Sequence, residues 1–424
     1  MPFGRRGWRP VKLVLLTQYF PPETGAPQAR LAALAQSFVR RGHSVTVLTA
    51  QPNYPVGRIY PGYGGLVRRE RCDGVDVVRS FIYPTQSAGM VRRLANYGSF
   101  VASSAAVGTV LLRRADYLMV ESPPIFLIGS AYPLSRLLRA RLVFNVSDLW
   151  PESAVRLGVV REGSTAHRLT GRLEAFAYRA AHLVTGQAAG IVSSVRERFP
   201  AVRTYHLSNG VDTTLFDPVH ASEVMRTALR RGSGCVALYA GLHGLAQGLG
   251  QLLDAAALLG PATDLRIALI GDGPEKQQLR RIAHARALTA VDFLDARPHQ
   301  AIPAMVASAD IIVVPLVGAL PGAVPSKLYE AMASARPVVL VAEGEPARIV
   351  RDTDAGLVVP PGNPGALAGA LAQLAADPEL RTRLGGNGRA AVLERYDRVA
   401  IGDQFVRFLE EDLARNAVPT ELSR

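Results

Sequence analysis

The residues best suited to chemistry lie in Pro325–Val339, which reads PSKLYEAMASARPVV. Lys327 is one of only three lysines in the chain, with Lys12 and Lys276. Ser326 has the side chain of a helix N-cap, which puts Lys327 and Leu328 in the first helical turn. A diphosphate bound there meets both a cation and the free amides of a helix start. Glu330 falls one turn later, near the face of Lys327. Its carboxylate can accept two hydrogen bonds from the vicinal hydroxyls of a ribose. The plain alternative is an i,i+3 ion pair on a solvated helix.

Two glycine-rich turns offer the rest of a nucleotide site. In YAGLHGLAQG a strand runs into Gly241, Gly244, Gln247 and Gly248, and a helix follows. Glycine lets backbone approach a phosphate, and a helix start faces it with amides. The spacing G-x-x-G-x-x-x-G differs from the dinucleotide fingerprint G-x-G-x-x-G, which argues against a nicotinamide enzyme. In IGDGPEKQQL a strand ends at Gly271, Gly273 permits a tight turn, and Pro274 suits the opening of a helix. A flat base can pack on such a turn. Either segment also reads as an ordinary βα connection.

The first half adds three positions. Gly25 and Ala26, in QYFPPETGAPQ, stand at the start of a helix and form a loop able to approach an acceptor or a phosphate. Asp148 follows an apolar strand and neighbours Trp150. A carboxylate and an indole there fit sugar recognition, and a helix cap is the plain alternative. Glu121 follows Leu118–Val120 and precedes two prolines, as a cleft carboxylate or a surface one. No HxxxH and no DxD at a strand end is present, so no metal site is expected. No G-x-S-x-G argues against a serine hydrolase. A departing diphosphate must then be neutralised by Lys327 or an arginine, helped by helix starts.

These residues sit at the ends of short β-rich runs that alternate with helical patterns. Strands are expected at Lys12–Thr17, Ser44–Thr49, Val75–Ile82, Asp116–Val120, Leu142–Val146, Leu183–Thr185 and Thr204–Leu207. The second half repeats the plan, with strands at Cys235–Ala240, Leu265–Ile270, Val291–Leu294, Ile311–Val314 and Val338–Val341. Helices are expected at Pro27–Arg41, Leu245–Leu259, Pro274–Ala287, Ala301–Ser308 and Ser326–Ser334. Such alternation means parallel sheets covered on both faces, with ligands beyond the carboxyl ends of the strands. Turn signals between Asn209 and Gly234 divide the chain. The expected organisation is a first domain over 1–210, a linker over 211–234, a second domain over 235–395, and a terminal helix over 396–424 that packs back on the first domain.

With 424 residues, each half is long enough for its own core. The net charge of +13 is spread as arginine pairs, such as Arg92–Arg93 and Arg113–Arg114. No zinc-finger spacing or long basic tract accompanies it, so nucleic acid is not an expected partner. Anionic small substrates, an anionic membrane surface and a plain solvated surface remain. Tyr97–Leu112 is uncharged between arginine pairs, yet shorter than a spanning helix needs. It reads as a core helix or as one lying against a membrane interface. Val11–Leu16 is too short for a signal peptide and reads as a strand. Cys72 and Cys235 suggest no disulfide framework, and a cytoplasmic protein is expected.

Taken in order, QYFPPETGAPQARLAALAQSFVRRGHSVTVLT, SNGVDTTLF, YAGLHGLAQGL, IGDGPEKQQL, VDFLDARPHQAIPAMVASADIIVVPL and PSKLYEAMASARPVV resemble the family 4 glycosyltransferases. The opening QYFPPE, with DLWPES and GLAQGL, is similar to bacterial polysaccharide transferases of the WbuB and WcaI type. The resemblance runs from about Lys12 to Phe408. It implies an α/β protein of GT-B fold, with two doubly wound Rossmann-like domains facing across a cleft. It implies retaining transfer of a sugar from a nucleotide-diphosphate donor, UDP-sugar favoured, with neither metal nor cofactor. The acceptor would be lipid-linked or a polysaccharide, with the protein peripheral at the inner face of the plasma membrane. Glu330 matches the second glutamate of the family's pair, which holds the donor ribose. Gly273 and Pro274 match the turn beside the base, and Gly25 the loop facing the phosphates. The expected donor set is Gly241, Gly244, Gln247, Gly271, Gly273, Pro274, Ser326, Lys327, Leu328 and Glu330, with Lys327, Glu330, Asp148 and Glu121 as catalytic candidates. The family's first glutamate falls at Gly322, and its two phosphate-binding cations at Leu242 and Gln247. Lys327 is placed to substitute for those cations. Two other readings remain: an epimerase acting on a nucleotide sugar without an acceptor, and a binding homologue without activity.

Overall fold

A computed structural model describes residues 9–85, 89–156, 160–229, 234–259, 264–318, 322 and 324–415. Residues 230–233 of the turn-rich segment between the two halves and the end of the expected terminal helix, 416–424, lie outside the described residues. The chain forms two units: Met1–Ser208 together with Val399–Arg424, and Asn209–Arg398.

The first unit is built on eight strands: β1 (Lys12–Leu16), β2 (Ser44–Ala50), β3 (Val67–Cys72), β4 (Val75–Ser80), β5 (Tyr117–Ser122), β6 (Arg141–Val146), β7 (Leu183–Gly186) and β8 (Thr204–His206). Their order is β3-β4-β2-β1-β5-β6-β7-β8. All pair in parallel except β3 with β4. The central strands are apolar along nearly their whole length because helices cover both faces; every residue of β5 is buried. The edge strand β3 was not foreseen. Its sequence VRRERC lies exposed at the sheet margin, where strands need no apolar face.

The second unit has six parallel strands: β9 (Cys235–Ala240), β10 (Leu265–Ile270), β11 (Val291–Leu294), β12 (Ile311–Pro315), β13 (Val338–Val341) and β14 (Gly356–Val359). Their order is β11-β10-β9-β12-β13-β14. Chain direction across the sheet reverses at β1 in the first unit and at β9 in the second. Ligands of doubly wound sheets bind at such points. Each unit has its own core. Leu252, Ile267, Val313 and Leu371 belong to the second, and Leu15, Phe38, Val47 and Met119 to the first.

The terminal helix Arg398–Arg415 sends Phe405, Val406 and Leu409 into the core of the first unit. Its Asp412 accepts from Tyr117 Oη at 2.7 Å and Arg141 Nη1 at 2.9 Å, and also pairs with His182 and Arg203. Burial alone would raise this carboxyl, but the donors from Arg203, Tyr117 and His182 hold it well below the usual carboxylate range.

Several predicted details shift. The 211–234 segment contains a short helix, Glu223–Leu229. The helix expected over Leu245–Leu259 divides into a 3-10 turn, Leu245–Gln247, and a helix, Gly250–Leu259. Gly248, in a left-handed conformation, separates them. Pro274 does not open its helix, which starts at Lys276. Met90–Leu111 is a helix with one face buried through Asn96, Phe100, Ser104 and Gly108, and an outer face of small residues including Gly98, Ala102 and Ala106. It is not a fully buried helix, and Val91, Leu94 and Val110 are exposed on it as well. No helix among the described residues is long and apolar enough to cross a membrane.

Candidate functional site

At the carboxyl edge of the second sheet, β9 and β10 end side by side at Gly241 and Gly271. The Gly241 amide donates to the Ile270 carbonyl at 2.8 Å. A Cβ on Gly271 would lie 1.9 Å from the Gly241 carbonyl oxygen, so only glycine permits this approach. The turns interlock further on. The His243 amide donates to Asp272 at 2.8 Å, the Glu275 amide donates to His243 at 3.0 Å, and Gly273 packs on the His243 backbone. The two glycine-rich segments thus form one double turn. Gly244 and Gln247 lie on its outer limb, where the buried Gln247 Oε1 has no hydrogen-bond partner.

Lys327 reaches this double turn from the helix Ser326–Ala333. Its Nζ lies 5.6 Å from the centre of the Tyr239 ring, within reach of a cation–π contact. A Cβ on Gly241 would come within 2.2 Å of Lys327 Cε, so glycine is what admits the lysine. Lys327 and Glu330 form no ion pair, which removes the bland i,i+3 alternative. Among the described residues neither makes a side-chain hydrogen bond. Both are partly exposed. Ser326 is not the N-cap: Pro325 holds that place in extended conformation, and Ser326 is the first helical residue. Leu328 turns its side chain into the core, and its amide donates to Pro325.

Lys276 has a different role. It is buried, and its Nζ donates to the carbonyls of Gly271 at 2.8 Å and Leu294 at 3.3 Å and to Asp295 at 3.1 Å. It staples the ends of β10 and β11 beneath the double turn. His243, fully buried between Tyr239 and Phe293, was not foreseen. Neither ring nitrogen has a partner in good hydrogen-bonding geometry, the Ile270 carbonyl being the polar group that faces the ring. Burial, then the Lys276 ammonium, keeps it neutral against the pull of the Ile270 carbonyl.

The carboxyl edge of the first sheet is organised by Arg30, on the helix Ala26–Arg40. Its guanidinium donates to Glu121, to Ser147 Oγ at 2.7 Å and to Gln187 Oε1 at 2.7 Å. Asn145 and Ser147 also donate to Glu121, and Thr185 donates to Asn145. Glu121 is therefore no surface group: it is 4% exposed with both oxygens occupied, and it joins the ends of β5 and β6 to that helix. Arg30, Asn145 and Gln187 were missed. A signal existed for Arg30, since it precedes buried Leu34 and Ser37 by four and seven residues on the inward face. Gly25 caps that helix, Ala26 is its first residue, and Gln28 folds back toward Gly25. Glu23 fixes the loop before it by accepting from the amides of Asn53 and Tyr54 at 2.8 and 2.7 Å. Asp148 lies past β6, where burial pushes its carboxyl above the usual range. The Trp150 indole N–H beside it is buried with no partner. Among the described residues no group of His, Cys, Asp and Glu side chains could hold a metal ion.

Two family models cover most of the chain: a glycosyl transferase 4-like domain over residues 25–210 and glycosyl transferases group 1 over residues 225–391. The chain belongs to the glycosyltransferases of this family. WcaI of Escherichia coli (strain K12), named for colanic acid biosynthesis, is 25% identical over 341 residues, 78% of this chain and 83% of the relative. A mannosyltransferase of Mycobacterium tuberculosis (strain ATCC 25618 / H37Rv), named as GDP-mannose-dependent, is 24% identical over 95% of this chain and 98% of its own. The Anabaena protein HepE, solved with UDP and glucose, matches the fold with a TM-score of 0.69 at 20% identity, over 95% of this chain and all of the other. The fold is GT-B, with two parallel-sheet Rossmann-like domains.

Proposed function

We propose that this glycosyltransferase moves a sugar from a nucleotide-diphosphate donor, a UDP-sugar, to a lipid-linked or polysaccharide acceptor in the synthesis of a cell-surface polysaccharide. The carrying observation is Lys327: a cation without an acidic partner, laid over Gly241 at the start of a helix and at the switch point of the sheet. A diphosphate supplies the negative charge that Lys327 lacks. Glu330, one turn on, takes the ribose hydroxyls. Gly271, Gly273 and Pro274 shape the base pocket, while Gly244, Gln247 and the start of the Ser326 helix line the phosphates. The UDP found with HepE favours uracil over guanine, and the WcaI likeness favours polysaccharide synthesis.

In the first unit, Gly25, Ala26 and Asp148 face the acceptor, and Glu121 positions the loops that carry them. Transfer proceeds with retention and without metal or cofactor. The bond from the anomeric carbon to the β-phosphate oxygen breaks, the acceptor oxygen attacks the same face, and its proton passes to the departing diphosphate. Lys327 stabilises the charge that develops there. The protein works in the cytoplasm, peripheral to an anionic membrane.

Calorimetry with UDP and GDP tests the donor site. Wild-type protein should bind UDP more tightly, and Lys327→Ala should lose about 2–3 kcal/mol, roughly a hundredfold in affinity. Indifference of the variant would remove Lys327 from the site. An inverted product anomer in NMR would refute retention.

A further inference from the structure

An aromatic wall stands at the carboxyl edge of the first sheet, where β2, β1 and β5 lie side by side. Tyr54 follows β2, Tyr19 follows β1 on the loop that leads to Gly25, and Phe126 follows β5. Tyr97 joins them from the helix Met90–Leu111. The Tyr19 and Tyr54 ring centres are 5.4 Å apart, and Tyr97 stacks on Phe126 at 5.8 Å. The two pairs adjoin. Burial first, then the neighbouring Tyr97, push the Tyr19 phenol up, so it keeps its proton. Tyr54 is 47% exposed, yet its backbone is pinned on both sides. Its amide donates to Glu23 at 2.7 Å, and its carbonyl accepts from Tyr60 Oη at 2.6 Å. An exposed ring on a fixed backbone is preorganised for contact, because little freedom is left to lose on binding.

Gln18, beside Tyr19, has one end of its amide unused. It is 1% exposed, and its Nε2 donates to Asn96 Oδ1 at 2.9 Å and to Tyr19 Oη at 3.1 Å. Asn96 Nδ2 donates in turn to the Tyr83 carbonyl at 2.6 Å, which fixes the orientation of both amides. Gln18 Oε1 is left buried without a donor. Among the described residues the Tyr19 O–H has no acceptor. A hydroxyl both donates and accepts, so it satisfies both groups. A phosphate oxygen only accepts and would leave Gln18 as it is. We infer that the group received here is a sugar ring of the acceptor, stacked by its C–H face on Tyr54 and Tyr19, with one hydroxyl meeting Tyr19 Oη and Gln18 Oε1. The inference rests on the transferase reading above and narrows its acceptor. The enzyme then extends a glycan and does not place the first sugar on a bare carrier. An earlier glycosyl or sugar-phosphate transfer must supply its acceptor.

The test is saturation-transfer NMR of the full chain with the methyl glycosides of glucose, galactose and N-acetylglucosamine at millimolar concentration. Farnesyl diphosphate, a prenyl diphosphate without a sugar, is the contrast. Wild-type protein should bind at least one glycoside, with the strongest transfer to protons on one face of the ring. Tyr54→Ala should weaken that binding roughly tenfold. Tyr54→Phe keeps the ring and should bind as wild type does. Tyr19→Phe keeps its ring but loses the hydroxyl, and should weaken binding about fivefold. An unchanged melting temperature in both Tyr54 variants shows that they fold. Calorimetry with UDP reports on the donor site separately. If UDP binds and none of the glycosides does, the acceptor inference falls and the donor reading stands. Glycoside binding without UDP binding keeps the sugar site and overturns the donor reading. Equal weakening by Tyr54→Phe and Tyr54→Ala would refute the stacking contact. Farnesyl diphosphate held more tightly than any glycoside, and lost in Tyr54→Ala, would make the wall a prenyl seat and overturn the sugar assignment.

Discussion

At the carboxyl edge of the first sheet, Arg30, Glu121, Asn145, Ser147 and Gln187 satisfy one another. At the same edge of the second, Lys327, Glu330 and the oxygen of Gln247 do not. Both edges lie at topological switch points, so position alone does not separate them. The first spends its polar groups on fixing loops. The second brings its loops together by backbone contact and leaves its charged side chains to meet something else. A closed network is a device for position, and an open one is a device for binding.

The largest test of that contrast is Glu121→Gln. It keeps the shape, removes the charge, and leaves Arg30 buried without its counter-ion, at a cost of about 3–5 kcal/mol in urea unfolding. Folded variant should still bind UDP as wild type does; a selective loss of UDP affinity would blur the distinction. Lys327→Ala is the mirror image, with about 2–3 kcal/mol lost in UDP binding and a melting temperature almost unmoved. Gly271→Ala sharpens the role of the double turn. The new methyl has no room against Gly241, and unfolding should cost about 1–3 kcal/mol, with UDP affinity falling too. His243→Leu should have the smallest effect: removing an unsatisfied buried imidazole stabilises by up to about 1 kcal/mol at neutral pH. It should also flatten the acid limb. The folded pKa of His243 lies below its unfolded value near 6.5. Between the two the unfolded chain holds more protons, so wild-type stability falls as pH drops through about 6.5 and levels off below the folded value. A variant as acid-sensitive as wild type would place that slope elsewhere.

Much of this architecture is written locally. The strand and helix alternation follows from apolar periodicity, and Lys327 was findable because a lysine at a helix start is rare in a chain of arginines. Features that depend on distant partners were not legible. Glu121 gives no hint that Arg30, 91 residues earlier, encloses it. The edge strand β3 lacks the apolar alternation by which strands are recognised. Ser326 has good capping chemistry, but Pro325 is already extended and takes the cap position, so the helix begins one residue later than the N-cap pattern implies. The interlock of Gly241 with Gly271 is also tertiary: each glycine reads as a turn, and only the sheet register sets the two turns against each other.

The terminal helix has a consequence for the order of synthesis. Residues Met1–Ser208 leave the ribosome without Phe405, Val406, Leu409 and Asp412, so an apolar face stays bare and Arg141 and Arg203 wait for their carboxylate. The second unit, Asn209–Arg398, is contiguous and can close as soon as it emerges. At ordinary rates of translation the first unit waits roughly ten to forty seconds for its last helix. The half of the protein made first is therefore finished last, and the nascent chain is most exposed to aggregation or chaperone capture in that interval.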